Sequence, residues 1–278
     1  MSKNRIFSMI VIPVVVLALV ACSPAANSGS APTQPPAATE SVPPPATETQ
    51  VINEVPAETP APAAIAPACA NPYMPVMVGA TWNYKLTGPI SDTFTHSILS
   101  MEDNSFVEQD VFNTGVTRQG TWNCQDGSLI ALNPPSGASA NVSAGNNVSV
   151  DFETKDLSGV TLPATINAGD TWSQSLTLEG TQTINGTAFP ASNQVTNDCK
   201  ATGVESVTVE AGTFDAMRVE CQTAMNISIT MGDAPVQSSI NITGTSWYAE
   251  GVGLVKTSTT GMGLDSTTEL VSYTIPSP

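Results

Sequence analysis

Apolar and polar side chains alternate along much of the chain after residue 68. Trp82, Tyr84 and Leu86 alternate with polar neighbours, and the stretch 225–231 repeats the pattern with methionine and isoleucine. A period of two places alternate side chains on the buried face of a strand and the others in water. No window of about a dozen residues has the 3.6-residue period of an amphipathic helix. The pattern therefore predicts an antiparallel all-β domain over residues 68–278.

The clearest predicted hairpin covers residues 207–219. Val207 and Val209 end one strand, Glu210-Ala211-Gly212 form the turn, and a second strand follows. Gly212 suits the positive φ that a tight turn requires. Residues 133–168, rich in Asn, Ser, Gly and Pro, have few strand signals outside 148–152 and are interpreted as a rim or lid.

The four tryptophans indicate an internal repeat. Residues 79–82 (Gly-Ala-Thr-Trp) resemble residues 169–172 (Gly-Asp-Thr-Trp), and residues 120–122 (Gly-Thr-Trp) resemble residues 244–247 (Gly-Thr-Ser-Trp). Each half of a duplicated sheet would then open and nearly close with such a strand start. Because Gly-Thr pairs are common in this chain, chance similarity is the alternative.

The first 21 residues have the layout of an export signal. Two cationic residues precede an apolar run over residues 6–20, and residues 19–22 form a lipobox, Leu-Val-Ala-Cys. A membrane-spanning helix is the alternative, but the run is shorter than the ~20 residues that a bilayer core needs and contains Pro13. We therefore predict a signal peptide over residues 1–21 and a lipid on Cys22, which would anchor the chain on the outer face of a bacterial membrane.

Residues 22–67 are predicted to be a disordered linker. Residues 23–67 contain eleven prolines and four glutamates but no lysine or arginine, a composition that cannot form a packed core. As a polyproline II helix the segment would reach on the order of 140 Å, and as a flexible coil roughly 40 Å. The sequence therefore predicts a lipid anchor, a tether and a β domain, in that order.

The cysteine content fits an exported protein with two disulfides. Lipidation would use Cys22, and an even number of cysteines remains: Cys69, Cys124, Cys199 and Cys221. Four cysteines allow three pairings. Counting outward from the 207–219 hairpin brings Cys199 and Cys221 within about two residues of direct opposition, so one bulge would align them. A bridge between Cys69 and Cys124 follows by elimination. No C-x-x-C motif supports a metal site instead, and no cofactor is expected.

The charge excludes one large class of partner. The chain contains eight Lys+Arg and 24 Asp+Glu, a formal net charge of −16. Loss of Lys3 and Arg5 with the signal would leave six cationic residues and a net charge of −18. Nucleic-acid binding requires a clustered basic patch, which six scattered cations cannot provide.

Several motifs give the domain its resemblance to a known family. They are Cys-x-Asn-Pro-Tyr at 69–73, Val-Gly-Ala-Thr-Trp-x-Tyr at 78–84, Thr-Trp-x-Cys at 121–124, Val-x-Ala-Gly-Thr-Phe at 209–214 and Trp-Tyr-Ala-x-Gly-Val-Gly-Leu-Val-Lys at 247–256. Together they resemble the TapB-like family of bacterial envelope lipoproteins over residues 69–273. The resemblance implies a curved, mostly antiparallel sheet, a half-barrel or open barrel related to half-barrel lipoprotein carriers, and an envelope or pilus protein as partner. The long tether departs from a soluble carrier.

Few residues offer recognisable chemistry. His96 is the sole histidine, and because no Gly-x-Ser-x-Gly motif accompanies it, a core or rim position is favoured over a hydrolase base. The acidic groups at 102–104 and 108–110 could offer oxygen ligands to calcium, but they lack the spacing of an EF-hand loop. They are therefore interpreted as turn residues.

Three methionines share one strand parity and mark the alternative function. Met217, Met225 and Met231 could line an adaptable apolar surface or fill an ordinary core. The leading hypothesis is a non-enzymatic, lipid-anchored envelope protein with a binding or structural role. The alternative is a carrier of an apolar, lipid-like ligand on the concave sheet face, and a hydrolase ranks third.

Overall fold

The computed structural model describes residues 66–133, 140–145, 148–232, 234–261, 263 and 265–277. The predicted signal peptide (1–21), the lipidation site Cys22 and the tether up to residue 65 lie outside the described residues. Helical structure in the described part is a single 3-10 turn at Pro67–Cys69. Among these residues no helix has the length and apolar content to cross a bilayer.

Strands make up almost all of the remaining secondary structure, as the two-residue period predicts. In chain order they are β1 (Thr81–Thr87), β2 (Asp92–Met101), β3 (Ser105–Phe112), β4 (Thr117–Gln125), β5 (Ser128–Asn133), β6 (Asn141–Ala144), β7 (Val148–Gly159), β8 (Thr171–Ile184), β9 (Thr187–Val209), β10 (Gly212–Met231), β11 (Ala234–Ala249), β12 (Gly253–Thr260) and β13 (Ser266–Thr274).

The strands form a closed antiparallel barrel. Twelve of them make a ring in which each strand lies beside its successor in the chain, β13 pairs with β1, and β4 pairs with both β3 and β6. The remaining strand, β5, pairs with β4 beside the ring. The predicted all-β class and curved antiparallel sheet are confirmed. Closure goes beyond the expected half-barrel or open barrel, because the β1–β13 pairing joins segments at opposite ends of the domain and leaves no local sequence signal.

The barrel has two unlike ends. The lower end carries residues 66–80 and the turns at 210–211 and 250–252, whereas the upper end carries the β8–β9 and β10–β11 turns. Strands β9 and β10 have 23 and 20 residues, while β12 and β1 have 8 and 7. The long strands therefore rise above the short ones at the upper end.

Two apolar clusters fill the inner face. The larger lies toward the lower end and includes Trp82, Phe106, Trp122, Leu129, Val255 and Leu270, all buried. The smaller lies between the long strands and consists of Phe152, Leu176, Leu178, Ala191, Val195 and Met225. Val150, Ile229, Ile240 and Ile242 are partly buried against this second cluster. These clusters contain the apolar side chains at inward-facing positions of the strands.

Residues 66–80 close the lower end of the barrel. The side-chain amide of Asn71 donates to Gly127 O at 2.8 Å and to Pro163 O at 3.0 Å. The backbone N–H of Gly251 donates to Pro72 O at 2.8 Å. These bonds join the segment to three different loops, so the chain enters the domain at a plugged end.

Strand β5 is held against β7 and β8 by side-chain hydrogen bonds. Gln174 donates to Ala131 O at 2.9 Å, and Asn133 donates to Phe152 O at 2.6 Å. The first bond satisfies a carbonyl of β5, which has a ladder partner on one edge only, and the second satisfies a carbonyl of β7.

The segment 133–168, which was interpreted as a rim or lid, contains two barrel strands. β6 and all of β7 lie within it, and residues 134–139 and 146–147 lie outside the described residues. The lid interpretation is wrong for residues 141–159, because the polar composition of these strands reflects an exposed outer face rather than a loop. The repeat is reflected only in part: Thr81 and Thr171 begin β1 and β8, but Trp122 and Trp247 lie inside β4 and β11.

Candidate functional site: a charge cluster inside the barrel

A row of ionisable side chains crosses strands β2, β3 and β4. The strand register pairs Trp82 with His96, His96 with Asp110, and Asp110 with Arg118. Residues directly opposite one another in an antiparallel sheet point to the same face. Glu108 shares this face because it lies two residues from Asp110 on β3. We call His96, Glu108, Asp110 and Arg118 the interior charge cluster.

Asp110 holds the cluster together. Its two carboxylate oxygens contact different partners: Oδ1 lies 2.8 Å from His96 Nδ1, and Oδ2 accepts a hydrogen bond from Arg118 Nη2 at 2.9 Å. On the other side of the imidazole, His96 Nε2 lies 3.4 Å from Glu108 Oε2. The His96 ring therefore has a carboxylate at each nitrogen.

The cluster is graded in depth. The Glu108 side chain is 1% exposed and the Asp110 side chain 6%, whereas those of His96 and Arg118 are 14% and 22% exposed. Arg118 therefore lies nearest to solvent and Glu108 farthest from it. Neither Glu108 oxygen makes a hydrogen bond of ordinary geometry, so the nearby imidazole is its principal compensating group.

Gly120 makes room for the buried glutamate. Glu108 and Gly120 are register partners on β3 and β4. A Cβ atom at position 120 would lie 2.7 Å from Glu108 Oε1 and 3.1 Å from Asn133 O, both closer than van der Waals contact. The backbone at this glycine is ordinary strand, so the requirement is for space rather than for an unusual φ.

Aromatic rings form the walls of the cluster. The Arg118 guanidinium carbon lies 4.5 Å from the ring centroid of Phe112 and 5.8 Å from that of Phe94, which is within the range of cation–π attraction. Phe106 and Trp122 stack beside Glu108 with centroids 5.5 Å apart. The charged groups are therefore held in apolar surroundings, where their mutual interactions are stronger than in water.

Burial and neighbouring charges shift the ionisation of the cluster. Burial raises the pKa of the Glu108 carboxyl to about 7, an effect that His96 partly opposes. Burial by itself lowers the pKa of His96, but the carboxylates of Glu108 and Asp110 together outweigh it, so the pKa of His96 is raised. The Glu108 carboxyl therefore has a pKa near neutral pH, where an ordinary glutamate is ionised.

Two tyrosines extend the electrostatic environment. Burial raises the pKa of Tyr84 well above its ordinary value, and the carboxylates of Asp110 and Glu108 raise it further. Burial also raises the pKa of Tyr248, and Glu108 adds to this shift. The Tyr84 hydroxyl donates to Leu254 O at 2.8 Å. Both phenols therefore remain neutral and serve as polar packing groups.

The arrangement can hold a proton but has no assembled nucleophile or metal centre in the described residues. The ring nitrogens of His96 face two different carboxylates on opposite sides of the ring. Across the described ranges, no three His, Cys, Asp or Glu side chains are arranged to hold a metal ion. The interaction that the geometry supports is a charge pair between His96 and Glu108, whose nearest atoms lie 3.4 Å apart.

The disulfides join the cysteine pairs expected from the sequence. One connects Cys69 to Cys124, and the other connects Cys199 to Cys221. Cys199 lies directly opposite Cys221 in the β9–β10 register, farther from the turn than the single bulge at Arg218/Val219. The turn of this hairpin consists of residues 210–211, and Gly212 has a φ of 141°.

The structure does not bring the three candidate methionines together. Met217 belongs to the larger apolar cluster and Met225 to the smaller one, while Met231 is 46% exposed at the end of β10. The partly buried apolar residues of the upper end are isoleucines and a valine instead.

The charge cluster is the feature that sequence analysis missed. Residues 108–110 were interpreted as turn residues, and this is wrong: they lie in the middle of β3, and the turn is at 102–104. A signal was present, because Phe106, Glu108 and Asp110 share one parity and Val107 and Val111 the other. The charged set faces inward with Phe106, which a hydrophobicity pattern alone does not predict.

Comparisons with known proteins bear on the fold. The chain is similar to a candidate lipoprotein from Parabacteroides distasonis ATCC 8503, with a TM-score of 0.50 and 17% identity over 73% of this chain and 99% of the other. It is also similar to a candidate exported protein with a YmcC-like fold from Bacteroides fragilis NCTC 9343, with a TM-score of 0.45 and 16% identity over 74% and 100% of the two chains.

Family membership rests on the sequence of the β domain. No curated protein matches the chain. The model of the DUF3108-like family matches residues 106–275, which is more than half of the 278 residues and includes most of the charge cluster and of the barrel. The chain therefore belongs to the DUF3108-like family.

Proposed function

We propose that this chain is a lipid-anchored protein of the bacterial cell envelope, held through Cys22 at the outer face of a membrane. The observation that carries the proposal is the lipobox at residues 19–22, followed by the proline-rich residues 23–67. The disulfides of the β domain support an extracytoplasmic location, because disulfides persist mainly in oxidising compartments.

In this role the β domain binds a partner or contributes structurally, without catalysis. A hydrolytic His must direct one ring nitrogen to the nucleophile, whereas Nδ1 and Nε2 of His96 face Asp110 and Glu108. His96 is also the sole histidine of the chain. The geometry thus favours a structural or proton-holding role for His96 over that of a catalytic base.

Metabolic labelling with palmitate tests the anchor. The full-length protein should incorporate label and fractionate with membranes, and Cys22→Ser should abolish both. Ser23→Ala is the matched control, because it changes the neighbouring residue without removing the thiol. Label retained by Cys22→Ser would remove the foundation of the proposal.

The TapB-like resemblance adds a partner class, an envelope or pilus protein. A strain that lacks the chain should then show fewer or misplaced surface pili, and complementation with the wild-type gene should restore them. Unchanged piliation would remove the pilus from the proposal but not the lipid anchor.

A second candidate function is the binding of an apolar, lipid-like ligand in the upper barrel. The observation that favours it is the group Val150, Ile229, Ile240 and Ile242, which is only partly buried on the inner face. Solvent extraction of purified full-length protein should then release a non-covalent lipid. Ile229→Asn should lower its yield about tenfold, and Ser228→Asn, on the opposite face of the strand, should not. Equal yields from both variants would exclude this site.

A further inference from the structure

The upper part of β11 has a partner strand on one side only. β11 pairs with β10 along the full length of β11, from Ala249↔Ala216 to Ala234↔Met231. On the other side β12 pairs only from Thr243 to Ala249. Within the described residues, no strand pairs with residues 234–242 on that side. Each such edge presents unpaired backbone N–H and C=O groups to its surroundings.

Part of this edge is open to an incoming strand. Gly261, just after β12, lies beside residues 241–242: a Cβ built there would be 3.0 Å from Asn241 O. Residues 234–240 remain, a stretch of roughly 24 Å in extended conformation. Val236 is 52% exposed, although its register partner, Ile229, belongs to the inner face. The edge thus exposes both backbone groups and apolar surface.

The usual protection against strand pairing is almost absent here. Proteins blunt such edges with charged side chains, proline, bulges or very short strands. Residues 234–242 (Ala-Pro-Val-Gln-Ser-Ser-Ile-Asn-Ile) contain one proline and no charged residue, in a chain with a formal net charge of −16. The β10–β11 register shows no bulge along this stretch. The edge is therefore a place where two acidic copies could approach with little local repulsion.

The side-chain order of the edge is self-complementary. About Ser238 as centre, Val236 is matched by Ile240, and Gln237 by Ser239. An antiparallel pairing of two copies about a two-fold axis at Ser238 would place Val236 of each copy opposite Ile240 of the other. Val236 and Ile240 of the two copies would meet on the inner face, on either side of the two Ser238 hydroxyls at the axis, and Gln237 and Ser239 would meet on the outer face. Such mutual matching is the pattern of an isologous interface.

We propose that residues 236–240 form a homodimerisation edge, at which two copies of this chain pair antiparallel and join their sheets. Backbone hydrogen bonds would supply affinity and the Val236–Ile240 contacts would supply register. The proposal does not depend on the lipid anchor or on a ligand, because it uses only the β10–β11 hairpin. Screening of the net negative charge makes pairing stronger as salt concentration rises.

Cysteine cross-linking of the full-length protein in its own membranes tests the edge. Ser238→Cys lies on the proposed axis, so mild oxidation should produce a homodimer band on a non-reducing gel. Gln194→Cys is the control, because Gln194 is exposed on β9, a strand paired on both sides. We expect at least tenfold more homodimer from Ser238→Cys than from Gln194→Cys.

A lysine substitution provides the second measurement. Gln237→Lys should reduce Ser238→Cys cross-linking about tenfold, and Gln194→Lys in the same background should leave it unchanged. Equal cross-linking at positions 238 and 194, or only monomer at both, would overturn the proposal. A Ser238→Cys adduct with a different protein would overturn self-pairing as well, since it would assign the edge to another partner.

Discussion

Glu108 and Gly120 face each other across β3 and β4, and the carboxylate of the first occupies the space that a side chain at the second would need. The buried Glu108 side chain thus requires a glycine at position 120 on the adjacent strand. Burial alone would not favour a glutamate at position 108, because glutamate is almost never fully buried unless it is paired.

Gly120→Ala should destabilise the domain by about 1–3 kcal/mol through overpacking. The new Cβ would lie 2.7 Å from Glu108 Oε1 and 3.1 Å from Asn133 O, so a side chain and a backbone must both move. Gly244→Ala is the matched control, since Gly244 lies in β11 with no atom within 4 Å of the added Cβ. Chemical denaturation measures both, and equal stability of the two variants would contradict the packing role.

Glu108 should make the domain less stable as pH rises. Its folded-state pKa is raised from 4.5 to about 7, so between these values the folded chain holds a proton that the unfolded chain releases. The contribution of Glu108 to the free energy of unfolding is therefore greatest below pH 4.5, falls toward pH 7 by up to about 3 kcal/mol, and then levels. His96, whose folded-state pKa is also raised, contributes stability that is fully present below 6.5 and is lost above it.

Denaturation of wild type and Glu108→Gln across pH 4 to 8 isolates this effect. The stability of wild type minus that of the variant should decrease as pH rises from about 4.5 to 7. Glu210→Gln, at the exposed β9–β10 turn, is the control for the loss of a glutamate outside the charge cluster. A difference that increases with pH would reverse the sign and refute the buried, protonated state of Glu108.

Loss of the bridge to Cys69 should cost more than loss of the bridge within the hairpin. The two disulfides span 55 and 22 residues, and loop entropy alone favours the longer one by about 1 kcal/mol. Cys124→Ser should accordingly lower the melting temperature further than Cys221→Ser in differential scanning calorimetry. The opposite order would show that the hairpin bridge, not the attachment of residues 66–80, limits stability.

The fold was predictable where the signal was local. Alternation along residues such as Trp82 and Tyr84 predicted strands, and the turn before Gly212 placed Cys199 opposite Cys221. Closure was not predictable, because the β1–β13 pairing and the plug made by Asn71 connect distant segments. Strands β6 and β7 were hidden by their polar outer faces.

Of the charge cluster, only the shared strand parity of its two acidic residues could be predicted from the sequence. Glu108 and Asp110 share the parity of Phe106, but an inward acidic pair contradicts the rule that charged side chains face water. His96 and Arg118 on neighbouring strands compensate the negative charge of this acidic pair. Gly120 leaves the space that the Glu108 side chain occupies. These three residues lie 10 to 12 positions from Glu108 in the chain, so only the register of the sheet brings them beside it.

The disulfide at the plugged end also determines how the domain bears mechanical load. Cys69 lies at the start of the plug formed by residues 66–80, so a pull on the chain before it reaches the bond to Cys124 in β4 before it reaches the rest of the plug. The hydrogen bonds of Asn71 and the packing of residues 70–80 lie beyond that junction and carry little of the force. Under a pull applied before Cys69, residues 70–80 would consequently stay attached to the barrel as long as the bond to Cys124 remained intact.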